Sequence, residues 1–420
     1  MDNLLKRYLR GDTTLWITFI MLCVISIIEM YSASSTLAYK AANHTAPMLR
    51  HVSFLIGGTI IAIVVHLIPY RVIRLMGYLG LLTSLVLLIL VQFIGETEND
   101  ATRWMSIGGV QFQPSELAKL SVIIVVADFI SRIKNQERDE KRIFFIILSI
   151  LAVICPLILF ENFSTSAILF GVVFLMMFVG KISMKKLSSV AGVIVLIAIV
   201  GYGVVKIIPS ENMPNVFDRA YTWTSRIDKF FVPTDNQESK YAINDENMQV
   251  QHAKIAISRG GFFGVMPGNS IERDVLPQAY SDFIFAIIVE EIGLFGGIFV
   301  ILLYLVLLYR AGRIATQSPT VFPAIVVIGL SLMIVIQAFV NMAVASNLGP
   351  VTGQPLPLIS RGGTSILITC IYFGIILGVT RQIKEENLTP DEEMLSKPDE
   401  KIPVLTLDEV ENEQATTLSK

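Results

Sequence analysis

Long apolar runs, separated by short polar segments, dominate this chain. They lie near 15–34, 52–68, 75–95, 115–131, 143–160, 164–180, 187–208, 282–309, 322–345 and 362–380. A helix needs about 20 apolar residues to cross the hydrocarbon of a bilayer. The pattern therefore predicts an all-α integral membrane protein with ten transmembrane helices. The fifth and sixth runs are short and separated only by Glu161–Phe163, which predicts a tight hairpin. The chain divides into a head over 1–14, a membrane domain over 15–382 and a tail over 383–420.

Lysine and arginine in the short loops set the sidedness. With the N-terminus inside, the inner loops carry Arg71 and Arg74, the cluster from Arg132 to Arg142, then Lys181, Lys185 and Lys186, then Arg310 and Arg313, then Arg381 and Lys384. The short outer loops carry only Lys40, Arg50, Arg103 and Arg361. Both termini are thus expected in the cytoplasm. The first run follows a basic head (Lys6, Arg7, Arg10) and is too long for a signal-peptide core, which predicts a retained anchor. One outer loop is long, about 209–281, between helices 7 and 8. Its aromatic and apolar content predicts order.

Composition agrees with a bilayer: 53% of residues are hydrophobic and 16% charged, against roughly a quarter charged in soluble domains. The net charge is −2, but the tail from Lys384 onward carries eleven acids and four lysines. That tail is acidic and free of aromatics, which predicts disorder. The three cysteines, Cys23, Cys155 and Cys370, lie far apart in apolar runs, so neither a disulfide framework nor a zinc site is expected.

Ionisable residues near spans mark candidate sites, and most gather on the outer side: Arg50, Arg103, Glu116, Lys119, Arg226 and Asp282. Glu116 and Lys119, three apart after Pro114, share a helix face; spacing favours a capped helix with a local ion pair over a cavity wall. Asp282 opens the eighth run. It reads equally as a helix N-cap and as a general base or cation ligand. Of Glu290 and Glu291, at least one must face the protein interior. Glu29, His66 and Asp128 read as satisfied structural contacts. The stretch GPVTGQPLPLISRGGTS (349–365) is rich in glycine and proline. Gly362 and Gly363, with Ser360, Thr364 and Ser365, would suit an anion at a helix start; a structural re-entrant turn is the equal alternative.

Three blocks, NLGPVTGQPLPLISRGGTS, TRWMSIGGVQFQPSELAKL and SDFIFAIIVEEIGLFGG, closely resemble the signatures of the SEDS family (shape, elongation, division and sporulation proteins). With NMAVA upstream, the flavour is that of its division members rather than its elongation members. The resemblance covers about residues 12–382. It implies a glycosyltransferase that polymerises lipid II, the undecaprenyl-diphosphate-linked disaccharide peptide, on the outer face of the cytoplasmic membrane, here at the division septum. It further implies a class B penicillin-binding protein (a transpeptidase) as partner, other division-complex membrane proteins, and no nucleic acid. A divalent cation, Mg²⁺ or Mn²⁺, is implied without assignable ligands. The family's essential aspartate falls at Asp282, which tips that residue toward catalysis. Substrate-binding roles fall on Arg50, Arg103, Glu116, Lys119 and Arg226. Two other readings stay open: a lipid II flippase, and a non-catalytic scaffold of the division complex.

The chain also departs from the family pattern. ENFST (161–165) replaces the usual PDxGT, so Asn162 stands for an aspartate. His252–Ala253 replaces a Gln-Ser pair, and Arg361 replaces an aromatic.

Overall fold

A computed structural model describes residues 11–33, 46–98, 101–107, 110–134, 139–207, 221, 223–226, 228, 248–276 and 279–386. Most of the head, the first part of the long loop and the acidic tail from 387 onward lie outside the described residues.

Each apolar run forms a helix. In chain order these are α1 (Thr13–Ala33), α2 (Ala46–Leu67), α3 (Tyr70–Ile94), α4 (Pro114–Lys134), α5 (Glu140–Glu161), α6 (Phe163–Val179) and α7 (Met184–Ile207). The long loop adds α8 (Met248–Gly260) and the short α9 (Glu272–Val275). The last three are α10 (Ile284–Gln317), α11 (Val321–Ala345) and α12 (Thr364–Glu386). Among the described residues, eight helices are long and apolar enough to cross a membrane. The ten-helix reading differs at two elements. Helix α6 is apolar but has only 17 residues. Helix α4 carries Glu116, Lys119 and Asp128 within its apolar run.

The fold has one element the apolar pattern does not announce. Between α3 and α4, β1 (Glu96–Glu98), β2 (Ala101–Ile107) and β3 (Val110–Phe112) form a small antiparallel sheet in that order. Met105 pairs with Phe112 and Ser106 with Gln111.

Helices α11 and α12 form the centre: 72% and 78% of their apolar windows are buried, against none of the window in α7. A helix apolar all round is stable at either place, because lipid accepts what protein does not cover. The expected hairpin appears at Asn162. Its amide donates to the Ile158 carbonyl, closing α5, and its Oδ1 accepts from the Ser164 and Thr165 amides at 2.9 and 3.3 Å, capping α6. Asparagine caps a helix as well as aspartate does, so this role survives the loss of the carboxylate.

Helix α10 is broken at Gly293, where φ is 80° and ψ −177°. Only glycine adopts that conformation without strain. The backbone groups freed by the break are taken up by the turn after α8. Val265 and Met266 donate to the carbonyls of Glu290 and Glu291, both at 2.9 Å. Leu294 and Phe295 donate to those of Gly261 and Phe262 at 2.9 and 3.3 Å. The long loop is therefore ordered where it is described, stitched into α10 by main-chain bonds. Glu290 and Glu291 are both buried here. Glu290 accepts from the Ser270 hydroxyl and Glu291 from the Ser32 hydroxyl. Glu29 departs from its expected role as a satisfied contact: it is fully buried, and neither carboxylate oxygen has a hydrogen-bond partner among the described residues.

Candidate functional site

The starts of α2, α4, α6, α10 and α12 converge at one end of the bundle and ring a cavity of about 200 Å³. Five helix N-termini bring five positive dipole ends to one place, which favours an anion there. The sheet covers one side, with Arg103 and Trp104 from β2 and Gln111 from β3 on the wall.

Seven of the residues expected from sequence line this cavity: Arg50, Arg103, Glu116, Asp282, Gly362, Gly363 and Ser365. Asp282 precedes α10 but does not cap it. The N-cap position is Phe283, with no side-chain cap. Instead Oδ1 of Asp282 accepts from the Ser281 hydroxyl at 2.9 Å. Its backbone carbonyl is held by Asn341 Nδ2 at 2.8 Å, and the same amide group holds the Gln354 carbonyl at 2.8 Å. One buried asparagine thus ties the aspartate segment to the 349–365 stretch. Opposite the carboxylate lies Gly353, with φ at 66°; a Cβ there would sit 3.6 Å from Asp282 Oδ2 and 4.0 Å from an Arg103 guanidinium nitrogen.

Burial pushes the Asp282 carboxyl above the ordinary carboxylate range. The Ser281 hydroxyl and the charges of Arg103 and Arg226 pull it partly back. Among the described residues no cation lies within ion-pair distance of it, so the carboxylate is available to a substrate proton.

The stiff stretch forms the floor. Ser360 accepts from the Leu356 amide at 2.7 Å and donates to the Ser281 carbonyl at 2.6 Å. The Arg361 amide donates to the Tyr280 carbonyl at 2.9 Å. The guanidinium of Arg361 lies over the Tyr280 ring, 5.3 Å from its centroid, and faces the cavity.

Four expected site residues stand behind or beside the wall. Lys119 is buried, 2.7 Å from Glu116 and 3.2 Å from Gln337 Oε1; it neutralises Glu116 rather than facing a ligand. Arg226 is exposed and donates to the Val351 carbonyl at 3.1 Å. Ser360 is spent on the backbone bonds just described. Thr364 donates to the Gln111 carbonyl at 3.0 Å, joining the sheet to α12. The lining also holds residues the sequence reading passed over, among them His51, Trp104, Gln354 and Tyr280. For His51 a signal was present: Pro47, Arg50, His51 and Phe54 recur at helical spacing on one face.

Among the described residues no group of three or more His, Cys, Asp or Glu could hold a metal ion. Magnesium characteristically uses one or two carboxylates and takes its other ligands from substrate phosphates and water. A cation here would depend on the substrate in that way, with Asp282 the one cavity carboxylate not already paired. Chemically, the cavity offers an available carboxylate beside fixed guanidinium groups, the arrangement for removing a proton while charge develops on a leaving phosphate.

The family profile described as "Cell cycle protein" (FtsW, RodA and SpoVE) matches residues 12–385. The chain is 32% identical over 393 residues to the protein of Saccharophagus degradans named "Probable peptidoglycan glycosyltransferase FtsW", covering 91% of this chain and 95% of that one. The like-named protein of Bacillus subtilis is 31% identical over 406 residues, 94% of this chain and 96% of the relative. Among solved structures, the fold matches a chain from a peptidoglycan synthase complex that coordinates polymerization and crosslinking, with TM-score 0.69, 22% identity, and 89% and 98% of the two chains covered. It also matches the rod shape determining protein RodA of Thermus thermophilus, with TM-score 0.62, 22% identity, and 89% and 97% covered.

Proposed function

We infer that this chain, which belongs to the FtsW/RodA/SpoVE family of cell cycle proteins, is a peptidoglycan glycosyltransferase. It is a multi-pass membrane protein that polymerises lipid II into glycan strands. The observation that carries the reading at the level of residues is the cavity itself: Asp282, its carboxyl pushed up by burial, shares the lining with Arg50, Arg103 and Arg361, none of which has a carboxylate within ion-pair distance among the described residues.

Asp282 serves as general base. It takes the proton of the acceptor sugar's 4-hydroxyl as that oxygen bonds to the donor's anomeric carbon. The anomeric carbon's bond to the diphosphate breaks, and undecaprenyl diphosphate leaves with the electron pair. Arg50 and Arg103 lie where they can hold diphosphate oxygens, with Arg226 adding charge from the side. Glu116, locked by Lys119, positions the start of α4. Gly362, Gly363 and Ser365 leave room for the headgroup, while Ser360 and Thr364 fix the floor. A divalent cation, Mg²⁺ or Mn²⁺, would add charge neutralisation at the diphosphate.

Ten spans rather than eight follow if α4 and α6 also cross. Both begin at the cavity end, and the neighbouring helices alternate in direction only if these two return the chain to the other end. The lysine and arginine asymmetry then places both termini in the cytoplasm and the cavity outside. The partner is a class B penicillin-binding protein, in keeping with the synthase complex whose fold this chain shares. The septum is the site of action, in keeping with the FtsW name of its relatives.

The test is strand formation from purified lipid II by the protein with its transpeptidase, with and without divalent cation, as wild type and as Asp282→Asn. Polymer from wild type and none from a folded, partner-bound variant supports the reading. Normal polymer from the variant removes Asp282 from catalysis. A silent wild type that scrambles lipid II in vesicles makes it a flippase. A silent wild type whose Asp282→Asn form still rescues a deletion strain makes it a scaffold.

A further inference from the structure

The cavity lining carries Arg50, Arg103 and Arg361 against the carboxylates of Glu116 and Asp282. Lys119 neutralises Glu116 at 2.7 Å, so the lining keeps an excess of positive charge. Arg50 and Arg103 have roles in the reading above. Arg361 has none, and no contact among the described residues neutralises it.

Its place is fixed at two points. The backbone amide donates to the Tyr280 carbonyl at 2.9 Å, and the guanidinium carbon lies 5.3 Å from the centroid of the Tyr280 ring. An aromatic face attracts a cation but gives its N–H groups no oxygen to bond. Among the described residues, no carboxylate lies within ion-pair distance of Arg361, and its guanidinium donates no hydrogen bond. The group is reachable all the same. Arg361 is partly exposed and lines the cavity, and none of its nitrogens is among the enclosed polar atoms that lack a partner. Its N–H groups are therefore open to a ligand rather than sealed in the interior. Packing on Tyr280 does not itself call for a charge, and Arg361 stands where the family pattern has an aromatic. Arginine keeps a flat face toward the ring and adds a fork of donors that fits a phosphate or a carboxylate.

We propose that Arg361 is a substrate-binding residue, its guanidinium donating to an anionic oxygen of the lipid-linked headgroup. The inference rests on the glycosyltransferase reading. Tyr280 is the positioning residue that holds the fork at the floor of the cavity. Lipid II can supply the oxygen from its diphosphate or from a carboxylate of its peptide, and the chemistry of recognition is the same for both.

The protein with its transpeptidase tests this as wild type, Arg361→Gln and Arg361→Lys. Glutamine keeps a donor amide and loses the charge; lysine keeps the charge and loses the fork. Both lipid II binding in detergent and strand formation are measured. For Arg361→Gln, Kd and KM for lipid II should rise roughly 10-fold, the lower end for a charge-assisted bond because the group is partly exposed, with Arg361→Lys in between. The melting temperature should change little, because the backbone bond to Tyr280 does not depend on the side chain. Lipid II with its peptide carboxylates converted to amides then names the source. If the gap between wild type and Arg361→Gln persists, the diphosphate supplies the oxygen; if it closes, the peptide does. Arg361→Gln binding lipid II as tightly as wild type overturns the proposal, as does an equal loss in both variants with lowered melting temperatures. If wild type makes no polymer but binds lipid II more tightly than Arg361→Gln, the catalytic reading fails and the binding role of Arg361 stands.

Discussion

The cavity lining and the opposite end of the bundle treat charge in opposite ways. At the end away from the cavity, carboxylates are matched to cations. Asp128 is buried between Arg74 at 3.1 Å and Arg132 at 2.6 Å, with the Tyr78 hydroxyl at 2.6 Å. Asp12 pairs with Arg310, and Glu140 lies 3.0 Å from Lys186. At the cavity end, Arg50, Arg103 and Arg361 have no carboxylate within ion-pair distance among the described residues, and Asp282 has no cation that close. Charge left unmatched on the cavity lining is what the proposed binding of an anionic headgroup requires. Glu116 and Lys119 pair with each other at the functional end, and behind the lining Arg259 lies 3.8 Å from Glu290, Arg273 3.8 Å from Glu291 and Lys206 3.4 Å from Asp228, so the contrast belongs to the cavity lining.

Experiments can break this contrast, starting with the largest effect. Asp282→Asn removes the proposed base, a role worth typically 10²–10⁴-fold, and strand formation from lipid II should fall by that order. Arg103→Ala should raise KM roughly 10- to 100-fold, the value of a charge-assisted bond to phosphate. Arg103→Lys should recover part of this, because a point charge replaces a fork. If Asp128→Ala impairs turnover as badly as these, the division between ends is wrong. It is expected instead to lower the melting temperature and leave kcat/KM alone. Breaking a buried pair costs about 3–5 kcal/mol. Arg74 and Arg132 are 41% and 29% exposed, so solvent screening reduces this to about 1–2 kcal/mol.

The smallest effects are in pH. Asp282 must be ionised to act, so kcat/KM should fall as pH drops through a midpoint above the ordinary aspartate value of about 3.9. Arg226→Gln removes a charge that lowers this midpoint, and the acid limb should move to higher pH. Linkage carries the same sign. A carboxyl with a raised folded pKa stabilises the fold while protonated and loses that contribution as pH rises through the raised value. Asp282→Asn cannot ionise, so at neutral pH it should melt slightly above wild type while being inactive.

Much of this was legible in the sequence, and the rest was hidden for physical reasons. Apolar runs gave the helices, because membrane spans carry the strongest pattern a sequence has. Asp282, Arg103 and the Gly362–Gly363 turn could be singled out because each is polar where apolar residues are the rule. Spacing announced the Glu116–Lys119 ion pair, and only the family resemblance made Lys119 a substrate-binding residue; its second partner, Gln337, is 218 positions away, and no local pattern announces such a contact. The N-cap alternative for Asp282 failed because α10 starts at Ile284, and helix ends are uncertain by a residue or two from sequence. The sheet over 96–112 was missed because its strands are short and lack a run of alternating apolar positions. His51 was passed over as a wall residue because its one hydrogen-bond partner, Ser26, lies on α1, 25 positions away.

The break at Gly293 has a mechanical side. Below it α10 is an ordinary helix; above it, the carbonyls of Glu290 and Glu291 are gripped by Val265 and Met266 of the turn after α8. The short upper piece, with Asp282 just before its first turn, is spliced to that turn more directly than to the rest of its own helix. A displacement of the turn would thus pull on the segment that carries Asp282 before it pulls on the rest of α10. The turn is a handle on the segment that carries Asp282.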